Sequence, residues 1–241
     1  MKKIIGIFPT VKLFQNDNPF EDEYKFLNNY SKRVYEAGAI PFGILLNDGK
    51  LDYEVLDMCD AFLLPGGNRV DHETYKLLEY ARIKKKPVLG ICLGMQAMAI
   101  YSTMIEECLH NNISYEDEKA RYELYQQVKK ENPILTILED GNIHDHFVLR
   151  NTIEEGKHEI TINDNSYLKD CYEQEKINVV SLHNIIASRI GVLFDAVALA
   201  PDGVIEAIEP KDKDLLWIGV QYHPEIDDND KLIKYFVKKI K

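Results

Sequence analysis

Ten residues, Pro87 to Gln96 (PVLGICLGMQ), constrain this chain more than any other stretch. Pro87 to Ile91 has the apolar run of a buried strand, and a helix-forming segment follows Leu93. Between them lies only Cys92, with Gly90 and Gly94 on either side. Glycines at those positions remove the side chains that a sharp strand-to-helix turn would crowd, as in a nucleophile elbow. The turn predicts Cys92 in a strained, exposed pose, with the positive end of the next helix favouring its thiolate. A strand feeding a helix this abruptly also demands a parallel sheet with helices packed on it.

The rest of the N-terminal half supplies that sheet. Lys3 to Phe8, Ile40 to Leu46 and Ala61 to Leu64 read as further strands. Glu23 to Ala37, Leu51 to Met58 and Asp71 to Lys85 read as helices between them. Phe26, Leu27, Tyr30, Val34 and Ala37 form the apolar stripe of the first, and Gly38 stops it. Asn16 to Asp22 is a polar turn region. Strands and helices alternating in this way predict an α/β fold with three layers and a mostly parallel sheet, its ligand site at the carboxyl ends of the strands.

Beyond the helix after Cys92 the pattern changes. Residues 106–132 are polar, with a charged helical run from Tyr115 to Lys130 that reads as a solvated helix face. Ile134 to Leu138, His158 to Ile162, Ile177 to Ser181 and Val192 to Leu199 read as strands. Pro201-Asp202-Gly203 predicts a small antiparallel hairpin. Asp230 to Ile240 reads as a closing amphipathic helix. With 241 residues and no repeat or linker, the expectation is one domain over 1–241, carrying an atypical acidic helical section at about 106–132.

Charge and cysteine content narrow the function classes. A net charge of −11 argues against binding nucleic acid or an anionic membrane surface. Cys59, Cys92, Cys108 and Cys171 have neither zinc-site nor dense disulfide spacing, which suits a reducing, cytoplasmic location. Met1 to Phe8 is too short an apolar run for a signal segment, and no stretch is long enough to span a membrane. His144-Asp145-His146 would share a strand face, yet no third ligand is evident, so a solvated loop is the simpler reading and no metal is expected.

Two further segments complete a candidate constellation. Trp217 to Gln221 reads as a strand running into Tyr222-His223-Pro224-Glu225. A histidine just past a strand end can reach a neighbouring elbow, and a carboxylate two residues on can orient the imidazole. Ala61 to Leu64 ends at Pro65-Gly66-Gly67, a turn whose bare backbone N–H groups suit an oxyanion hole, with the Leu93 N–H as second donor.

Together these three segments resemble class I glutamine amidotransferases and their hydrolytic relatives, most closely the γ-glutamyl-γ-aminobutyrate hydrolase type of cysteine peptidase. Tyr30 to Pro41 is similar to that group's first helix and second strand, and Ala200 to Glu209 to its late hairpin. The resemblance implies a flavodoxin-like fold and a triad of Cys92, His223 and Glu225, with Gly67 and Leu93 at the oxyanion. It further implies substrate contacts by Gly66, Gln96, Ser181, Leu182 and His183. The chain departs from the pattern in three places. Tyr101 to Glu106 lacks the usual paired glycines, the loop after Gly67 is short, and Asn184 and Ile185 replace a common histidine and glutamine.

The expected activity is hydrolysis of a small γ-glutamyl conjugate through a thioester, releasing glutamate and an amine, with no metal or organic cofactor. One alternative is a glutaminase subunit delivering ammonia to a separate synthetase. Another is a non-catalytic binding or regulatory protein on the same fold. A homodimer is compatible with the sequence, which does not fix the oligomeric state.

Overall fold

The computed structural model describes residues 1–12, 23–138 and 156–241. Its centre is a nine-stranded sheet in the order β4-β1-β5-β6-β13-β12-β11-β8-β9. The parallel half consists of β4 (Ile40–Gly43), β1 (Ile4–Ile7), β5 (Ala61–Leu64), β6 (Val88–Ile91) and β13 (Trp217–Val220). The predicted hairpin is β11 (Phe194–Leu199) with β12 (Ile205–Pro210), paired antiparallel. Two more strands, β8 (Lys157–Ile162) and β9 (Lys176–Val180), extend it on the outer side.

Alternation along the buried strands divides the core into two layers. Ile5, Ile7, Leu63, Leu89, Ile91, Ile218 and Val220 face one side. There they meet Tyr30 and Val34 of α1 (Asn28–Glu36), and Leu232, Ile233 and Phe236 of α7 (Leu232–Lys239). A short helix, α6 (Tyr167–Tyr172), packs Leu168 and Cys171 into the same layer. Phe62, Leu64, Val88, Ile208 and Trp217 face the other side. They meet α2 (Tyr53–Asp57), α3 (His72–Ile83) and α4 (Leu93–His110) through Leu56, Leu77, Leu78, Met95 and Met98. A third, smaller cluster joins Ile100, Met104 and Cys108 of α4 to Leu124 and Val128 of α5 (Glu118–Glu131).

Several elements differ from expectation. The helix expected over 23–37 begins only at Asn28, because Glu23–Lys25 (β3) pairs antiparallel with Thr10–Lys12 (β2). Phe26 and Leu27, placed on the buried stripe by periodicity, are 39% and 46% exposed. The α6 helix was not anticipated; Ser166 caps it by accepting the Lys169 N–H at 3.0 Å. The expected strand at 134–138 forms as β7 (Leu135–Ile137), outside the main sheet, against β10 (Ile185–Ala187). The turn region expected at 16–22 and the His144–His146 pattern lie outside the described residues. Among the described residues, no helix is long and apolar enough to cross a membrane.

Candidate active site

The register of β5, β6 and β13 brings three loops to one sheet edge. Gly90 aligns with Leu64 on one flank and Gly219 on the other. The chain therefore leaves all three strands at the same height, toward Gly66-Gly67, Cys92 and His223. The Cys92 N–H donates to the Val220 carbonyl at 2.7 Å, and the His223 N–H to Val180 at 2.8 Å. These bonds fix the two side chains relative to the sheet.

Cys92 has φ +51° and ψ −104°, a backbone conformation that a side chain rarely adopts. Such strain costs about 1–3 kcal/mol and is kept only where surrounding packing enforces it. Here the enforcement is visible at Gly94. A Cβ there would lie 2.3 Å from the Leu64 carbonyl oxygen, so α4 can begin this close to β5 only with glycine. The two glycines flanking Cys92 thus play the part the sequence assigns to them. The elbow leaves Cys92 only 7% exposed, at the bottom of a cavity and not on the surface.

The His223 imidazole lies beside Cys92: a Cβ built on Gly66 would be 2.9 Å from His223 Cε1 and 3.4 Å from Cys92 Cβ. Its Nδ1 lies 2.7 Å from Oε1 of Glu225. Burial disfavours the imidazolium, but the hydrogen bonds to Cys92 and Glu225 outweigh it and raise the His223 pKa to about 10. Among the described residues Glu225 pairs with no lysine; it is 4% exposed and faces His223. Burial pushes Cys59 up to about 11, Cys171 up to about 12, and Cys108 above its ordinary value. All four cysteines are unpaired.

Gly67 and Leu93 both line the cavity beside Cys92, with a Cβ built on Gly67 only 3.1 Å from Leu93 Cδ2. Gly66 serves differently. Its N–H donates to the Tyr30 hydroxyl at 2.9 Å, and a Cβ on it would meet His223 Cε1 at 2.9 Å. Tyr30 is therefore part of the site, although periodicity marks it only as a core residue. Burial and then the charge of Glu225 hold its hydroxyl protonated far beyond the ordinary phenol range. Arg33, one turn later, donates from Nε to the Glu225 carbonyl at 3.1 Å. No local signal marks either contact, because each partner is remote in sequence.

Of the expected substrate contacts, Gln96, Leu182 and His183 line the cavity, while Ser181 and Gly66 are not among its lining residues. Gln96 Nε2 donates to the Ile185 carbonyl at 2.9 Å and to Gln221 Oε1 at 3.1 Å, so its amide nitrogen is engaged within the protein. Among the described residues, one group has metal-ligand side chains close together: His158, His183 and Glu206, with ligand atoms within 4.8 Å of one another. Glu206 Oε1 lies 3.3 Å from His183 Nε2 and 3.5 Å from His158 Nε2.

A model of the peptidase C26 family matches residues 3–77 and 71–225. The chain belongs to that family. It lies within the class I glutamine amidotransferase-like superfamily. A glutamine amidotransferase-like protein of Rickettsia prowazekii is 26% identical, covering 100% of this chain and 98% of its own. A CTP synthase of Thermosipho africanus is 29% identical over 70% of this chain, and the match spans only 32% of that enzyme. The peptidase C26 chain thus corresponds to about a third of the CTP synthase it matches. Among solved structures, the glutaminase domain of Trypanosoma brucei CTP synthase, with acivicin bound, superposes with TM-score 0.64. It shares 16% identity, with 98% of this chain and 91% of that one covered, a likeness of fold.

Proposed function

We propose that this peptidase C26 chain hydrolyses γ-glutamyl amides through a thioester on Cys92. The observation that carries the reading is the buried series Cys92, His223 and Glu225. A strained cysteine meets an imidazole whose Nδ1 is held 2.7 Å from a carboxylate.

Each group then has one task. The Cys92 thiolate attacks the γ-carbonyl carbon, and the carbonyl oxygen becomes an oxyanion facing the Gly67 and Leu93 N–H groups. Losing one such donor typically costs about two to three orders of magnitude in rate. The His223 imidazolium gives its proton to the amine as the C–N bond breaks, leaving a thioester on Cys92. Water then attacks that thioester, with His223 taking its proton and Glu225 stabilising the resulting imidazolium. The thiolate departs and glutamate is freed. Tyr30 positions Gly66 and hence the neighbouring oxyanion donor.

Partial coverage of the CTP synthase supports a second reading, in which the chain releases ammonia from glutamine for a separate synthetase. The test is glutamate release from a panel of γ-glutamyl amides that includes glutamine, with Cys92→Ala as control. Cys92-dependent turnover of a conjugate in preference to glutamine supports the hydrolase. Turnover of glutamine alone, accelerated by an added synthetase, supports the second reading. No turnover, or turnover untouched by Cys92→Ala, defeats both.

A further inference from the structure

We infer that the leaving amine carries an aromatic ring and an anionic group, so that the substrates are γ-glutamyl derivatives of aromatic amino acids or of like aromatic acids. This rests on the hydrolase reading and deepens it. The cavity that begins at Cys92, Leu93 and Gln96 continues outward beneath α5, with a volume of about 910 Å³. Pockets for whole organic ligands span roughly 300–1,000 Å³. Ammonia, the leaving group of glutamine, needs none of that space.

The wall of the outer part is aromatic: Tyr75, Tyr115, Tyr122 and Tyr125, above Ile100 and Met104. It is also preorganised. Tyr115 packs edge-on against Tyr101 at 5.6 Å and 87°, and the Arg121 guanidinium lies 4.3 Å from the Tyr115 ring centre. Tyr101 is fixed in turn by the Arg82 Nε donor at 2.8 Å and by its own bond to Glu79. Flat faces held in place suit a flat ligand.

The charge of the same wall selects among aromatic amines. Among the described residues, Arg69, Arg121 and Lys129 line it, against one carboxylate, Glu118. Glu118 already faces Lys76 at 3.7 Å. In a chain of net charge −11, this local excess of cations is opposed to the global sign. A leaving group with a second ammonium would be repelled there, and a carboxylate attracted. The cap over this part of the cavity is built by α5, within the section 106–132.

The experiment measures kcat/KM for L-γ-glutamyl-L-phenylalanine, γ-glutamyl-phenethylamine, γ-glutamyl-putrescine and glutamine with the intact chain. The expected order places the phenylalanine conjugate first, by about tenfold or more over the diamine and glutamine, with phenethylamine between. Tyr122→Ala, an exposed position that folding tolerates, should reduce the ratio of phenylalanine conjugate to glutamine about three- to tenfold, mainly through KM. Tyr122→Phe should retain it. Equal turnover of all four amides, a preference for the diamine, or a ratio insensitive to Tyr122→Ala overturns the inference while leaving the hydrolase standing. Failure to turn over any amide, glutamine included, overturns the hydrolase reading and this one with it.

Discussion

The Tyr30 hydroxyl accepts the Gly66 N–H at 2.9 Å across 36 residues of chain, binding the first helix to the loop that carries Gly67. A backbone donor buried here has no route to water, so its partner matters. Tyr30→Phe leaves that donor unsatisfied at a cost of about 1–3 kcal/mol, visible as a lower Tm. If the tyrosine also positions Gly67, kcat falls with KM little changed. A lowered Tm with wild-type kcat would reduce Tyr30 to a structural role.

Glu225 holds the His223 imidazole through a single carboxylate oxygen at 2.7 Å. Glu225→Gln preserves shape and removes charge, so it should lower kcat by roughly two to four orders of magnitude. A variant within tenfold of wild type would refute the orienting role.

The same pair gives a stability signature. His223 has a folded pKa raised to about 10, above the ordinary 6.5. Its contribution is therefore complete below about pH 6.5 and is lost as pH climbs through 10. Wild-type Tm should decline over pH 7–10 more steeply than that of His223→Asn, by thermal melts at matched ionic strength. Parallel curves would contradict the raised pKa.

How much of this was legible depended on the range of each interaction. Strands at 61–64 and 88–91, the elbow and the His-x-Glu pair follow from local pattern, because burial on both faces and a tight turn each leave marks within ten residues. The strand Glu23–Lys25 did not, since its pairing to Thr10–Lys12 overrides a helical apolar spacing. Tyr30 carried the helix period correctly and is buried as expected, yet its second duty depends on Gly66 and Glu225, which only the folded chain brings near. The charged run in 115–130 read as a solvated face. Most of it is, but Tyr122, Tyr125 and Lys129 also line the cavity. A local capping signal stands at Ser166, whose side chain starts α6.

Gly94 gives a test of the elbow that needs no substrate. Its Cβ would sit 2.3 Å from the Leu64 oxygen and 2.8 Å from Leu64 Cβ, both in the core of the sheet. Neither can withdraw without shifting β5 or α4. Gly94→Ala should therefore destabilise by about 2–4 kcal/mol or prevent folding, measured by denaturant titration or soluble yield. Near-native stability would mean that the turn relaxes easily and that Cys92 is not held under strain.

Asp230 supplies a pH dependence of its own. Burial raises its pKa to about 6, opposed by the Leu232 N–H and by the Tyr172 hydroxyl, which donates to both oxygens at 2.8 and 3.0 Å. A carboxyl whose folded pKa lies above its ordinary 3.8 stabilises the fold fully below that value. It loses that contribution as pH rises through 6. At pH 8 the charge is buried at a cost that an amide of equal shape avoids, while the amide oxygen still accepts the N–H at the start of α7. Asp230→Asn should therefore gain Tm relative to wild type as pH rises from 4 to 8, with the difference smallest at the acid end. Melting curves across that range decide it, and a gap that stays constant or narrows with pH would show that the two donors keep the carboxylate adequately solvated.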